Sequence, residues 1–269
     1  MVTVKNILEL MDEKAPFSSQ MSFDNSGHLV GDLNQPVSRV LVSLDITEEV
    51  AKEAAAMGCE LIVSHHPVIF NPVKRLTFDE PPGPVLIALI QNRISAICCH
   101  TNVDMAEGGV NDCLAEAVGL EKLELLAQEG TYESGKPYGI GRVGMRKGGP
   151  CSLQEYLAQV DQALKPNGIR YMDAGKPVCR VAVGGGACGE YMDTAIAKGC
   201  DTFLTSDLKY HGFLDGKDKG INLIDAGHYP TENLVCPRMA EWIRTAFPDL
   251  DVKLTQVHRE VFSYYQKNG

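Results

Sequence analysis

Short apolar runs alternate along this chain with stretches of helical periodicity. Arg39 to Leu44, Glu60 to Ser64, Ile94 to Cys99, Arg180 to Val183 and Ile221 to Ala226 are brief and rich in aliphatic residues. That is the pattern of buried strands. Thr3 to Pro16 and Ser152 to Pro166 instead space their apolar residues as amphipathic helices. The second opens with a capping box, Ser152 and Glu155. Further helices are expected to stop at Gly58 and Gly199, where glycine accepts the left-handed terminator conformation. The alternation predicts an α/β fold.

The pattern also repeats. Ser38-Arg39-Val40-Leu41-Val42 matches Cys179-Arg180-Val181-Ala182-Val183, 141 residues later. The same offset carries Glu49 onto Glu190, Gly58 onto Gly199 and Cys59 onto Cys200, and it sets His65 and His66 against Ser206 and Asp207. An offset of 128 then sets His100 and Asp104 against His228 and Glu232. The reading is two similar α/β units from an internal duplication, with residues 1–126 forming the first and 127–269 the second.

Three of the apolar runs end in histidine: Ser64-His65-His66-Pro67, Cys99-His100-Thr101-Asn102-Val103-Asp104 and Gly227-His228-Tyr229-Pro230-Thr231-Glu232. Ligands of α/β proteins gather beyond the carboxyl ends of strands. A helical turn after the strand stacks residues four apart, so His100 with Asp104 and His228 with Glu232 each aim at one volume. In a continuing strand His65 and His66 would face opposite ways, and Pro67 disfavours a helix starting at His66. They serve two metals, or one binds a metal and the other supports it. Imidazole and carboxylate donors suit Zn, Fe, Mn, Co or Ni. Ligands from both units put the metal site between them. His28, His211 and His258 lack this placement and read as ordinary core or surface residues.

Composition narrows the class. A net charge of −10 works against nucleic-acid binding. No run is long enough for a membrane span, and Met1 to Leu10 lacks the features of a signal peptide, so a cytoplasmic protein is expected. The nine cysteines contain no C-x-x-C pair and read as buried, reduced thiols. Cys99 is a conceivable thiolate ligand, but strand alternation points it away from His100. Gly184-Gly185-Gly186 is either an anion-cradling turn or a tight turn that needs positive φ. Asp24-Asn25-Ser26-Gly27 signals a turn whose side chains could touch a substrate.

These motifs together, with Phe23 and Val30-Gly31, resemble the Nif3-like dinuclear metal-centre proteins across almost the whole chain. His28 stands where that family more often has leucine. The resemblance implies two divalent cations on His65, His66, Asp104, His228 and Glu232, with His100 as a further ligand or a supporting partner. An imidazole not taken up as a ligand is suited to shuttle protons, which makes His100 the candidate catalytic residue. The resemblance also implies a toroidal homohexamer and the label of GTP cyclohydrolase 1 type 2 homolog, a direction toward hydrolytic opening of a purine nucleotide ring. Longer members insert a domain between the halves, and residues 121–178 are too few for one. The expected function is a metal-dependent hydrolase of a small molecule. The alternative is a metal-binding adaptor or metal-handling protein without turnover.

Overall fold

The computed structural model describes residues 1–265. Helix α1 (Val4–Lys14) buries Val4, Ile7, Leu10 and Met11, the spacing of one helical stripe. After strand β1 (Gly27–Val30) come β2 (Arg39–Ser43), α2 (Glu48–Met57), β3 (Leu61–Ser64), α3 (Gly83–Gln91), β4 (Ser95–Cys98) and α4 (Thr101–Met105). The Thr47 hydroxyl caps α2 by accepting from the Val50 N–H, and Gly58 ends it at φ 67°, as the sequence predicts. β2, β3 and β4 are parallel, with Val40 opposite Leu61 and Leu61 opposite Ser95. Their interior residues are solvent-free, which is why these strands are continuous apolar runs.

Helix α5 (Val110–Ala117) follows, then a long hairpin of β5 (Leu120–Thr131) and β6 (Pro137–Arg146). Next are α6 (Leu153–Leu164), β7 (Arg170–Met172), β8 (Arg180–Val183), α7 (Met192–Ala197), β9 (Thr202–Thr205), α8 (Tyr210–Lys219), β10 (Asn222–Asp225) and α9 (His228–Glu232). The predicted capping box forms at α6, where the Ser152 N–H donates to Glu155 Oε2 at 2.8 Å. Helix α10 (Val235–Ala246) and strand β11 (Asp251–Leu254) complete the described elements.

The strands form two mixed sheets, ordered β1-β4-β3-β2-β11 and β7-β10-β9-β8-β6-β5. Each has three consecutive parallel strands with an antiparallel strand beside the third. The helix before each set is framed by an isolated bridge, Thr3 to Pro36 in one case and Cys151 to Val178 in the other. Connectivity therefore repeats along with sequence. The compact units are Met1–Glu107 with Val235–His258, and Gly108–Leu234 with the chain from Arg259 onward. A division at 126/127 falls inside β5, which pairs with β6 along its length. The first unit also takes back α10 and β11, because β11 pairs in parallel with β2. Among the described residues no helix is long and apolar enough to cross a membrane.

Candidate metal centre

In the first unit the strand ends converge. β3 stops at Ser64, and the next residues are held by backbone bonds from His65 N–H to Ser43 O and from His66 N–H to Leu44 O, with the Ser64 hydroxyl donating to His66 O. The chain bends here, so His65 and His66 do not face opposite ways as a continuing strand would dictate. Their ring centroids lie 4.9 Å apart. His100 caps the start of α4, with its ring 5.3 Å from His65 and 5.6 Å from His66. One ligand atom from each of these three histidines lies within 4.8 Å of the others, a spacing that could hold a metal ion. Asp104, one turn along α4, brings Oδ1 to 3.6 Å from His65 Nε2.

Every imidazole here is held by its Nδ1. The His65 Nδ1 is 2.8 Å from the carbonyl of Cys99, and a carbonyl only accepts, so Nδ1 carries the proton. His66 Nδ1 meets Asp45 Oδ1 at 2.8 Å and His100 Nδ1 meets Asp24 Oδ1 at 2.7 Å. Burial raises the pKa of both aspartates, but their hydrogen bonds to the histidines and other partners outweigh it and hold them well below the usual carboxylate range. Ionised carboxylates accept, so these Nδ1 atoms donate. That makes Nε2 the candidate ligand atom of each ring, the arrangement in which an oxygen acceptor fixes the tautomer of a metal-binding histidine.

Several supporting residues were outside the sequence expectation. Asp24, read there as a turn former, also accepts from the Thr101 N–H at 3.0 Å and from the Ser26 hydroxyl at 2.9 Å. The His100 N–H donates to Ser26 Oγ at 3.1 Å, so the turn seats His100 from two sides. His258, read as an ordinary residue, is buried and donates through Nε2 to Asp45 Oδ2 at 2.8 Å. Burial lowers the His100 pKa, but the Asp24 bond and the charges of Asp104 and Asp24 prevail and raise it.

The second unit holds the other two expected ligands. Gly227, at φ 86°, turns the chain from β10 into α9. His228 and Glu232 then stack one turn apart, with Nε2 and Oε2 at 2.9 Å. Asp207 approaches the other face, its Oδ2 2.6 Å from His228 Nδ1. Burial lowers the His228 pKa, but its hydrogen bonds to Asp207 and Glu232 outweigh that and raise it to about 11. Asp207 itself adopts φ 55°, a conformation aspartate tolerates better than most residues.

The glycine turn after β8 is not an anion cradle. The Gly184 N–H donates to Leu204 O, Gly185 to Asn111 Oδ1 and Gly186 to Thr231 Oγ1. All three donors are thus committed inside the protein. Gly186 has φ 63°, and a Cβ there would lie 2.0 Å from Glu232 Oε1. Its bareness makes room for that carboxylate.

The donor set fits a borderline divalent cation, because all the candidate atoms are nitrogen or oxygen. Among the described residues, none of the groups that could hold a metal includes a cysteine. Burial also pushes the Cys99 thiol far above its ordinary pKa, against a thiolate ligand.

Known proteins share this architecture. A Clostridium perfringens protein named GTP cyclohydrolase 1 type 2 homolog is 33% identical over 93% of this chain and 94% of its own length. A protein of the same name from Streptococcus pneumoniae is 34% identical over 83% of each chain. A solved Bacillus cereus protein related to NIF3 superposes with a TM-score of 0.89 at 27% identity, covering 98% of this chain and 99% of that one. The profile of Duf34/NIF3 (NGG1p interacting factor 3) matches residues 2–261. The chain belongs to the Duf34/NIF3 family.

Proposed function

We propose that this protein is a metal-dependent hydrolase using two divalent cations held by His65, His66, Asp104, His228 and Glu232. The observation that carries the reading is the anchoring of every candidate imidazole through Nδ1, to Cys99 O, Asp45, Asp24 and Asp207. A histidine that served only packing would not need its tautomer fixed four times over. Asp104 and Glu232 would each offer carboxylate oxygens to the cations. His228 would offer Nε2 in its neutral form, with its ring oriented by Asp207 at Nδ1.

Bound cations would supply Lewis acidity and bring the pKa of water toward about 7. His100, held by Asp24, carries a proton toward the leaving group or adds a further ligand. The names of the two relatives favour a purine nucleotide as substrate and opening of its ring by water. In this reading two units descend from one by duplication, six chains assemble into a ring, and the protein works in the cytoplasm on a small molecule.

The test compares metal-loaded protein, stripped protein and the His65→Ala variant on GTP, then on phosphoesters and small amides. Turnover is expected only in the loaded wild type, with His65→Ala folded but inactive. If loaded protein never exceeds stripped protein on any of these substrates, a metal-binding adaptor or metal-handling role replaces the hydrolase.

A further inference from the structure

Two phenylalanines stand in solvent at the border of the first unit's histidine cluster. Phe23 is 62% exposed and Phe70 46% exposed. Their ring centroids are 6.4 Å apart at 59°, and Phe70 meets His100 edge-on at 6.2 Å and 82°. Exposed aromatic pairs are uncommon on a soluble surface unless something uses them.

Neither ring is on a loose loop. Asn25 Nδ2 donates to Ile69 O at 2.6 Å, tying the loop of Phe23 to the loop of Phe70. Ile69 and Val73, on either side of Phe70, pack against the core of the first unit. Asp24, the neighbour of Phe23, is bound to His100 and Thr101. The backbone around both rings is therefore fixed, while the rings themselves are left uncovered. Apolar, preformed surface beside a few convergent polar groups is the character of a small-molecule site.

We propose that Phe23 and Phe70 form a ring-binding subsite next to His100, stacking the planar heteroaromatic ring of the substrate, a nucleobase. This rests on the metal-dependent hydrolase reading and narrows its substrate class. Stacking on an aromatic side chain is tolerant of base identity, so Phe23 and Phe70 select for a ring and not for its identity.

Binding is measured by calorimetry on full-length, metal-loaded protein with GMP and ribose 5-phosphate as probes. Wild type is expected to bind GMP at least tenfold more tightly than ribose 5-phosphate. Phe23→Ala and Phe70→Ala should each weaken GMP by roughly tenfold, with ribose 5-phosphate affinity and metal content unchanged. Phe70→Leu, which keeps an apolar side chain without a ring, should lose ring preference in the same direction. Unchanged GMP affinity in both alanine variants overturns the subsite, as does a wild type with no preference for GMP. A drop in assembled mass with ring preference intact also overturns it, since the pair would then cover a contact between copies. Metal content measured on the loaded protein separates the two readings. A wild type that takes up no metal on loading yet prefers GMP through Phe23 and Phe70 supports the subsite and overturns the metal-centre reading.

Discussion

β2–β3–β4 and β8–β9–β10 are the same scaffold carrying different chemistry. In the first unit Glu60 accepts from the N–H groups of Ser38 and Arg39, and in the second Asp201 accepts from those of Cys179 and Arg180. Arg39 donates to Met57 O and Arg180 to Lys198 O, 141 residues on in both donor and acceptor. Beyond the strand ends the likeness stops. His66 is matched by Asp207, which serves as the carboxylate partner of an imidazole and is not itself one. Asp45, which supports His66, is matched by Gly186, which makes room for Glu232. The lesson is that the backbone fixes where strand ends point, and a few residues beyond them decide which side chains offer an imidazole and which orient one.

The sharpest way to break the comparison is to write one unit's pair into the other. His65→Ser with His66→Asp gives the first unit the second unit's strand end. Metal retained through gel filtration, read by elemental analysis, should fall to background while circular dichroism stays native. Unchanged metal content would mean that the histidine pair is not what separates the units.

A smaller effect is expected at Asp207. Asp207→Asn keeps the size of the side chain but not the ionised acceptor for His228 Nδ1. Loss of such an orienting partner typically costs about 10- to 100-fold in metal affinity. Titration against a chromophoric chelator reads it, and an affinity within twofold of wild type would reduce Asp207 to a turn former.

The smallest effect tests the shared scaffold. Glu60→Gln and Asp201→Asn should each destabilise by about 1 kcal/mol in urea at pH 7, the low end for bonds to a charged acceptor because these sites are partly solvated. At Glu60 burial raises the pKa, but the bonds from Arg39 and Ser38 prevail and lower it below its usual 4.5. A depressed carboxylate contributes stability above its unfolded pKa and loses it as pH falls. The penalty of Glu60→Gln should therefore shrink below about pH 4.5. A penalty in one unit and none in the other would show that the matched bonds are not equivalent.

What could be read in the sequence was local. Strand-end histidines, the four-residue step from His100 to Asp104 and the glycine stops all depend on neighbours within one turn or one strand. The groups that orient the imidazoles do not. Asp24 is 76 residues from His100, and His258 is 213 from Asp45, so no spacing rule reaches them. The opposite-facing expectation for His65 and His66 assumed that β3 continues, whereas it stops at Ser64. The long β5–β6 hairpin was hidden because β5 carries Glu121, Lys122 and Glu124 in exposed positions and shows no apolar run. The return of β11 to the first sheet is a long-range pairing that no local pattern announces.

That return has a consequence for how the protein is made. The residues completing the first unit, from α10 through β11 to His258, emerge from the ribosome only after Gly108–Leu234, the bulk of the second unit. Until then β2 is an open sheet edge, exposed to pairing with the wrong chain, and Asp45 lacks one of its two imidazole partners. A nascent chain can thus order Gly108–Leu234 while its first unit is still waiting. Cells with limited chaperone capacity should show the cost as aggregation of stalled or shortened chains before any shows as loss of the finished protein.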